Sequence, residues 1–273
     1  MVISESGEPT FSTAFSRPTS MSPTTPTNHF TAPGAVLSEP GAKNMRERVI
    51  VALDVPDLKA AGEFLDRLEG QPAFYKVGLE LFVAEGVRAI EAVRSRGGKV
   101  FLDLKLHDIP ETVARAVSSA MTLGAELLTL HTSGGLAMMK RAAQAAQGRA
   151  KLLGVTVLTS LAEDDLRADG IAGSMREAVV RRAKLASQAG IAGVVCSPQE
   201  VADVRQVCPS LLLVVPGVRP AGADVGDQKR VATPASAIAG GADYLVVDRP
   251  IRDAVNPAAA FAAVVAEVAA AGR

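Results

Sequence analysis

From about residue 49 onward, short runs rich in Val, Ile and Leu alternate with amphipathic or alanine-rich stretches, and the alternation repeats eight times. The strand-like runs fall at 49–53, 74–77, 99–102, 127–130, 152–158, 193–196, 211–215 and 244–247. The helix-like stretches fall at 58–68, 79–96, 111–123, 135–147, 175–189, 198–207, 234–239 and 257–270. Strands that alternate with helices pair in parallel, because each helix carries the chain back across the sheet. Eight such units in this length predict an α/β fold, a closed (β/α)8 TIM barrel, as a single domain over 45–273. The alternative is an open doubly wound sheet, which calls for a glycine-rich dinucleotide turn after the first strand. Leu53-Asp54-Val55-Pro56-Asp57 is no such turn.

In a barrel all the strand carboxyl ends meet on one face, where catalysis sits. The residues predicted to meet there are Asp54, Lys76, Asp103, Lys105, Asp108, His131, Thr132, Thr159, Ser160, Ser197, Pro216, Arg219, Asp248 and Arg249. The run Phe101-Leu-Asp-Leu-Lys-Leu-His-Asp-Ile-Pro110 carries the strongest signal among them. Positions i and i+2 of a strand share a face, so Asp103 and Lys105 are expected in one pocket. Burying such charges is costly unless they pair or do chemistry. Asp54, Lys76, Asp103, Lys105 and Asp108 together predict an alternating charge cluster suited to a carbanion. An ammonium group favours developing negative charge, and a fixed carboxylate disfavours a substrate carboxylate set against it. The rival chemistry is Mg²⁺ held by Asp103 and Asp108; the two lysines compete with a cation, so no metal is expected. Phosphate commonly binds beyond strands seven and eight of such barrels. Arg219 and Arg249 are the natural ligands there, because guanidinium matches phosphate oxygens bidentately. The long glycine-rich loop from Pro216 to Arg230 is expected to act as a lid. His107 is expected to face away from the cluster, and His131 to be a hydrogen-bonded packing residue.

Composition excludes several classes. Lys plus Arg and Asp plus Glu number 29 each, so no basic field points to nucleic acid. No apolar stretch is long enough for a membrane span. Cys196 and Cys208 have no metal-type or redox-type spacing and read as buried apolar residues, which suits a cytoplasmic protein with free thiols. Residues 1–44 are crowded with Ser, Thr and Pro and show no apolar periodicity. Such a segment buries too little surface to offset its ordering entropy. The expectation is a disordered extension, or an upstream start with translation from Met45.

Several ordered motifs together resemble the orotidine 5′-phosphate decarboxylase family over nearly all of 48–273. They are Ala52-Leu-Asp54, Lys76-Val-Gly78, Asp103-Leu-Lys-Leu-His-Asp-Ile-Pro-Glu-Thr112, Leu158-Thr-Ser160, Val194-Val-Cys-Ser197, Pro216-Gly-Val-Arg219 and Asp227-Gln-Lys-Arg230. The resemblance implies decarboxylation of orotidine 5′-monophosphate to UMP, with Lys105 protonating C6 of the pyrimidine once CO₂ has left. Asp103 would lie against the departing carboxylate. Asp54 and Lys76 would hold the ribose hydroxyls. Asp108 and Thr112, with Ile109 beside them, would reach a neighbouring site across a homodimer interface. Thr159 and Ser160 would contact the pyrimidine edge. Arg219, Gln228 and Arg249 would bind phosphate next to Pro216 and Asp248. The family implies no metal and no organic cofactor. The related 3-keto-L-gulonate 6-phosphate decarboxylase and hexulose-phosphate synthase branch uses Mg²⁺ and carries glutamate where this chain has Lys76. Two departures stand out: Asp248 replaces a usual glycine, and Val215 a common threonine. They raise the further alternative of a non-catalytic nucleotide-binding paralogue.

Overall fold

The computed structural model describes residues 45–220 and 232–272. Among them, eight strands close into one parallel barrel in sequence order, β8 pairing with β1. The strands are β1 (Val49–Ala52), β2 (Phe74–Val77), β3 (Lys99–Leu106), β4 (Leu127–His131), β5 (Lys151–Val155), β6 (Gly193–Val195), β7 (Leu212–Pro216) and β8 (Tyr244–Val247). The helices packed around them are α1 (Leu58–Arg67), α2 (Leu79–Glu85), α3 (Val87–Arg94), α4 (Pro110–Thr122), α5 (Gly135–Ala146), α6 (Glu163–Ala168), α7 (Met175–Gln188), α8 (Val201–Val207), α9 (Pro234–Ala239), α10 (Arg249–Arg252) and α11 (Pro257–Ala271). None of these helices is long and apolar enough to cross a membrane. This is the (β/α)8 TIM barrel that the alternation predicts.

Helix starts follow local chemistry. Asp57, Ser174, Thr233 and Asn256 each accept a backbone N–H of the first turn, which would otherwise lack a partner. The helix expected over 79–96 is instead two, α2 and α3, because Gly86 adopts φ +58° between them. Two short helices, α6 and α10, are additional to those expected from the alternation.

The core has two parts. The larger lies between the barrel wall and the helices. The smaller fills the barrel itself, with Ile50, Phe74, Phe101, Leu127, Leu153, Val214, Tyr244 and Val246. Side chains of a strand alternate between its faces, so the next inward positions toward the carboxyl ends are Lys76, Asp103, Thr129, Val155 and Pro216. The apolar plug thus sets the floor on which a layer of polar side chains stands.

Candidate active site

Four charged side chains meet above that floor in alternating sign. Lys76 Nζ donates to Asp54 Oδ1 at 2.7 Å and lies 3.8 Å from Asp103 Oδ2. Lys105 Nζ donates to the same Asp103 oxygen at 2.8 Å. Lys76 and Asp103 are only 9% and 8% exposed, so these pairs are not screened as surface pairs are. Burial alone would raise the Asp103 carboxyl. The charges of Lys76 and Lys105 and hydrogen bonds from Lys105 and Thr129 outweigh it and hold the group below the ordinary carboxylate range.

Local backbone makes this geometry. Lys105 has φ +50°, the left-handed region that a non-glycine residue seldom occupies. It sits where the β3–β4 register shifts, between Leu102 and Leu106. Thr129, fully buried on β4, spans the irregularity. Its hydroxyl accepts the Lys105 backbone N–H at 2.9 Å and donates to Asp103 Oδ1 at 2.8 Å. Simple strand alternation therefore pairs the correct two residues but omits the kink that presents Lys105. Gly78 makes room on the other side: a Cβ there would lie 2.8 Å from Asp54 Oδ1 and 2.9 Å from Lys76 Nζ.

The four charges border a cavity of about 230 Å³ at the barrel mouth. Phe101, Val155, Val157, Val195 and Val246 form apolar wall, and Leu158, Thr159, Cys196 and Pro216 complete the lining. This is the charge layer with an apolar surround that a flat, polar-edged ligand suits. A larger hollow of about 450 Å³ on the outer surface is lined by Glu163, Ser174, Arg176 and Asp203, with no comparable buried charge row. Among the described residues, no group of three or more His, Cys, Asp or Glu side chains is placed to hold a metal ion. The Lys76 ammonium occupies the space between the Asp54 and Asp103 carboxylates.

Six of the predicted residues border this cavity: Asp54, Lys76, Asp103, Lys105, Thr159 and Pro216. Asp108 does not join the cluster within the chain. It is exposed, and its Oδ1 accepts the N–H of Ile109, itself exposed. The chain leaves the strand after Leu106, so the face-sharing that joins Asp103 to Lys105 no longer applies. Thr112 is half-buried in the first turn of α4. Ser160 is exposed just beyond Thr159. Arg219 is buried after β7, with Nη1 donating to the Val218 carbonyl at 2.9 Å. Arg249 opens α10 after β8. Asp248, which precedes it, forms an ion pair with Arg252 Nη1 at 3.0 Å, so its charge is compensated within the chain. Gln228 and most of the expected lid lie outside the described residues, as do residues 1–44.

His107 is exposed, as expected of a residue turned from the cluster. His131 packs on it with ring centroids 5.5 Å apart and, among the described residues, makes no ring hydrogen bond; its neighbour is the other imidazole. Cys196 and Cys208 are both buried and outside any disulfide, and Cys196 also borders the cavity. The residue that sequence reasoning missed is Thr129. A signal existed, since Leu127 pairs with Phe101 across β3 and β4, which puts Thr129 at the level of Asp103.

Comparison with known proteins gives a consistent picture. The model of the Orotidine 5'-phosphate decarboxylase / HUMPS family matches residues 47–264. The chain is 55% identical over 221 residues to the Orotidine 5'-phosphate decarboxylase of Anaeromyxobacter sp. (strain K), a match covering 81% of this chain and 97% of that protein. It is 48% identical over 233 residues to the protein of the same name from Moorella thermoacetica, covering 82% and 92%. Among solved structures it is similar to the crystal structure of Orotidine 5'-phosphate decarboxylase from Lactobacillus acidophilus. The TM-score there is 0.72 at 37% identity, covering 81% of this chain and 99% of the other.

Proposed function

Since the chain belongs to the orotidine 5′-phosphate decarboxylase / HUMPS family and decarboxylates orotidine 5′-monophosphate to UMP and CO₂ in pyrimidine biosynthesis, we propose that its buried Asp54–Lys76–Asp103–Lys105 row performs the chemistry without a metal. The observation that carries this reading is the alternation itself: two ammonium groups interleaved with two carboxylates, with Asp103 held ionised between both lysines.

The substrate carboxylate is placed against Asp103, where two like charges raise the energy of the bound ground state relative to the transition state. The bond from C6 to the carboxylate carbon breaks and CO₂ leaves. The electron pair stays on C6. Lys105, 2.8 Å from Asp103, donates a proton from its ammonium to that carbon and regains one from water. Its charge also stabilises the carbanion before transfer. Asp54 and Lys76 hold the ribose hydroxyls, and their 2.7 Å pair fixes both in place. Thr159 and Ser160 take the pyrimidine edge. Arg219, Gln228 and Arg249 bind the phosphate, with backbone at Pro216 and Asp248 beside it. No cofactor is required. Lys76, in place of a metal-binding glutamate, supports this branch of the family over the Mg²⁺-dependent one.

Asp108, Ile109 and Thr112 act in the site of a second copy, in a homodimer with shared sites. The exposure of Asp108 and Ile109 in the single chain, and the absence among the described residues of any ion pair between Asp108 and the charge row, support this assignment. The decarboxylase domain is 45–273, and the protein works in the cytoplasm on a small-molecule substrate, apart from nucleic acid and membrane.

The test is direct. Purified protein with orotidine 5′-monophosphate and EDTA is expected to bleach the orotate ultraviolet band, and Lys105→Ala to lower the rate by about 10³-fold or more. Loss of activity in EDTA that returns with Mg²⁺ would refute the metal-free mechanism. Undiminished activity in Lys105→Ala would remove the lysine from its role.

A further inference from the structure

β1 and β8 are neighbours in the barrel, Val51 lying opposite Val247. The residues that leave them, Asp54 and Asp248, therefore emerge side by side at the mouth. Arg252, on α10, sits between the two. Its Nη1 lies 3.0 Å from Asp248 Oδ1 and donates to the Asp54 backbone carbonyl at 3.0 Å. The same guanidinium also reaches Asp253, through Nε at 2.7 Å and Nη2 at 3.3 Å.

One guanidinium thus holds two carboxylates at once, Asp248 through Nη1 and Asp253 through Nε and Nη2. The Asp253 side chain is more than half exposed, so that partner alone would draw Arg252 toward solvent. Asp248 Oδ1 is inaccessible to water and, among the described residues, makes no hydrogen bond of normal geometry, so the Arg252 charge is its compensation. The pair is costly to break by removing Arg252, because the Asp248 charge would stay buried. Asp248 therefore keeps Arg252 turned inward, on the Asp54 carbonyl. The charges facing Asp248 are Asp54 and Asp253, which oppose it, and Arg252 and Lys76, which favour it. The Asp54 carboxylate in turn holds Lys76, and Lys76 stands 3.8 Å from Asp103.

We infer that Asp248 is a positioning residue which, through Arg252, clamps the Asp54 end of the charge row, rather than a group that acts on the substrate phosphate. This rests on the reading that Asp54 and Lys76 hold the ribose. Its distinguishing property is that it acts where the phosphate is absent.

Asp248→Asn, Arg252→Met and the double variant are compared with the parent on orotidine 5′-monophosphate and on orotidine, the nucleoside without phosphate. Each single variant is expected to lose about tenfold in kcat/KM on both substrates. The double variant should lose about tenfold again in total, not about a hundredfold, because the two side chains work as one unit. Arg252→Lys, which keeps the charge, is expected to recover part of the Arg252→Met loss. Losses that multiply in the double variant would overturn the clamp. So would a loss confined to the phosphorylated substrate. A crystal structure of Asp248→Asn reads the clamp without turnover: Arg252 Nη1 should leave the Asp54 carbonyl while Nε and Nη2 stay on Asp253, and an unmoved Arg252 refutes the inference. A parent inactive on both substrates would instead refute the decarboxylase reading, with the structure still deciding the clamp.

Discussion

Replacing Thr129 with valine tests how Lys105, the proposed proton donor, is held. The change keeps the shape of the side chain and deletes one hydroxyl. That hydroxyl accepts the Lys105 backbone N–H and donates to Asp103. Leaving a buried N–H without a partner costs about 1–3 kcal/mol, and a hydrogen bond to a charged group contributes about 1.5–3 kcal/mol. The valine methyl, buried at a fully enclosed position, returns about 0.8 kcal/mol. The net expectation is a loss of roughly 2–4 kcal/mol in stability. For a domain of this size that lowers the melting temperature by roughly 5–15 °C, readable by circular dichroism. The catalytic effect should be of similar size to the folding effect. Lys105 stands in the left-handed region, a conformation that persists only where its surroundings enforce it. Once its N–H is released, the backbone can relax and the ammonium shifts from Asp103. A displacement of about 1 Å is enough for roughly a hundredfold loss in kcat. Thr129→Ser is the control. It keeps both hydrogen bonds and removes one methyl, so about 1 kcal/mol of stability is lost while turnover stays within about threefold. Thr129→Val with kcat/KM within about twofold of the parent would refute the reasoning, whatever the melting temperature did.

Gly78→Ala should lower kcat/KM by about tenfold or more while melting within a few degrees of the parent, because its Cβ would displace the Asp54 carboxylate and the Lys76 ammonium rather than backbone. His131 is pushed below the ordinary histidine range, first by burial and then by the charges of His107, Lys105 and Arg182. Its folded value is the lower one, so its contribution to stability is present above about pH 6.5 and is lost as pH falls through the folded value; His131→Gln should flatten that part of a melting-temperature profile. Asp248 is displaced the other way, raised by burial and by Asp54, with Arg252 and Lys76 opposing. A raised carboxyl contributes stability below about pH 3.9 that is lost as pH rises through the folded value. Asp248→Asn should therefore melt higher than the parent near pH 7, with the difference closing in acid, even as it loses activity.

The barrel was legible in the sequence because parallel strands buried on both faces read as apolar runs, and helices between them read as amphipathic ones. Phe74–Val77 and Tyr244–Val247 agree to the residue. β3 runs to Leu106, past the expected end at 102, because its polar half lines the mouth and so lacks an apolar signature. The break at Gly86 is not legible in the sequence, because a single glycine is tolerated in many helices. Within the site, charge was legible and geometry was not. Asp54, Lys76, Asp103 and Lys105 are conspicuous wherever they fall in apolar surroundings. Thr129 is a good strand former, so in Leu127-Leu-Thr-Leu-His131 its polarity reads as ordinary strand composition. Nothing in a lysine codon announces φ +50°, since that conformation is imposed by Thr129 and the register shift. Asp108 misled because proximity in sequence ceases to mean proximity in space once the strand ends.

The apolar plug inside the barrel has a consequence for traffic. Phe74, Phe101, Leu127, Leu153 and Tyr244 fill the lumen beneath the charge row, so the cavity has no rear exit. Substrate arrives and both products depart through one doorway. A CO₂ molecule freed at the floor must pass the nucleotide that still occupies the way out. During that passage it remains within reach of the carbon it has just left. In the proposed mechanism the lysine's proton then has a second use beyond completing the product: it replaces a reactive electron pair by a C–H bond, so that the retained gas finds nothing to recombine with. In a blind pocket, irreversibility has to be supplied by chemistry, since no separate channel carries the leaving group away.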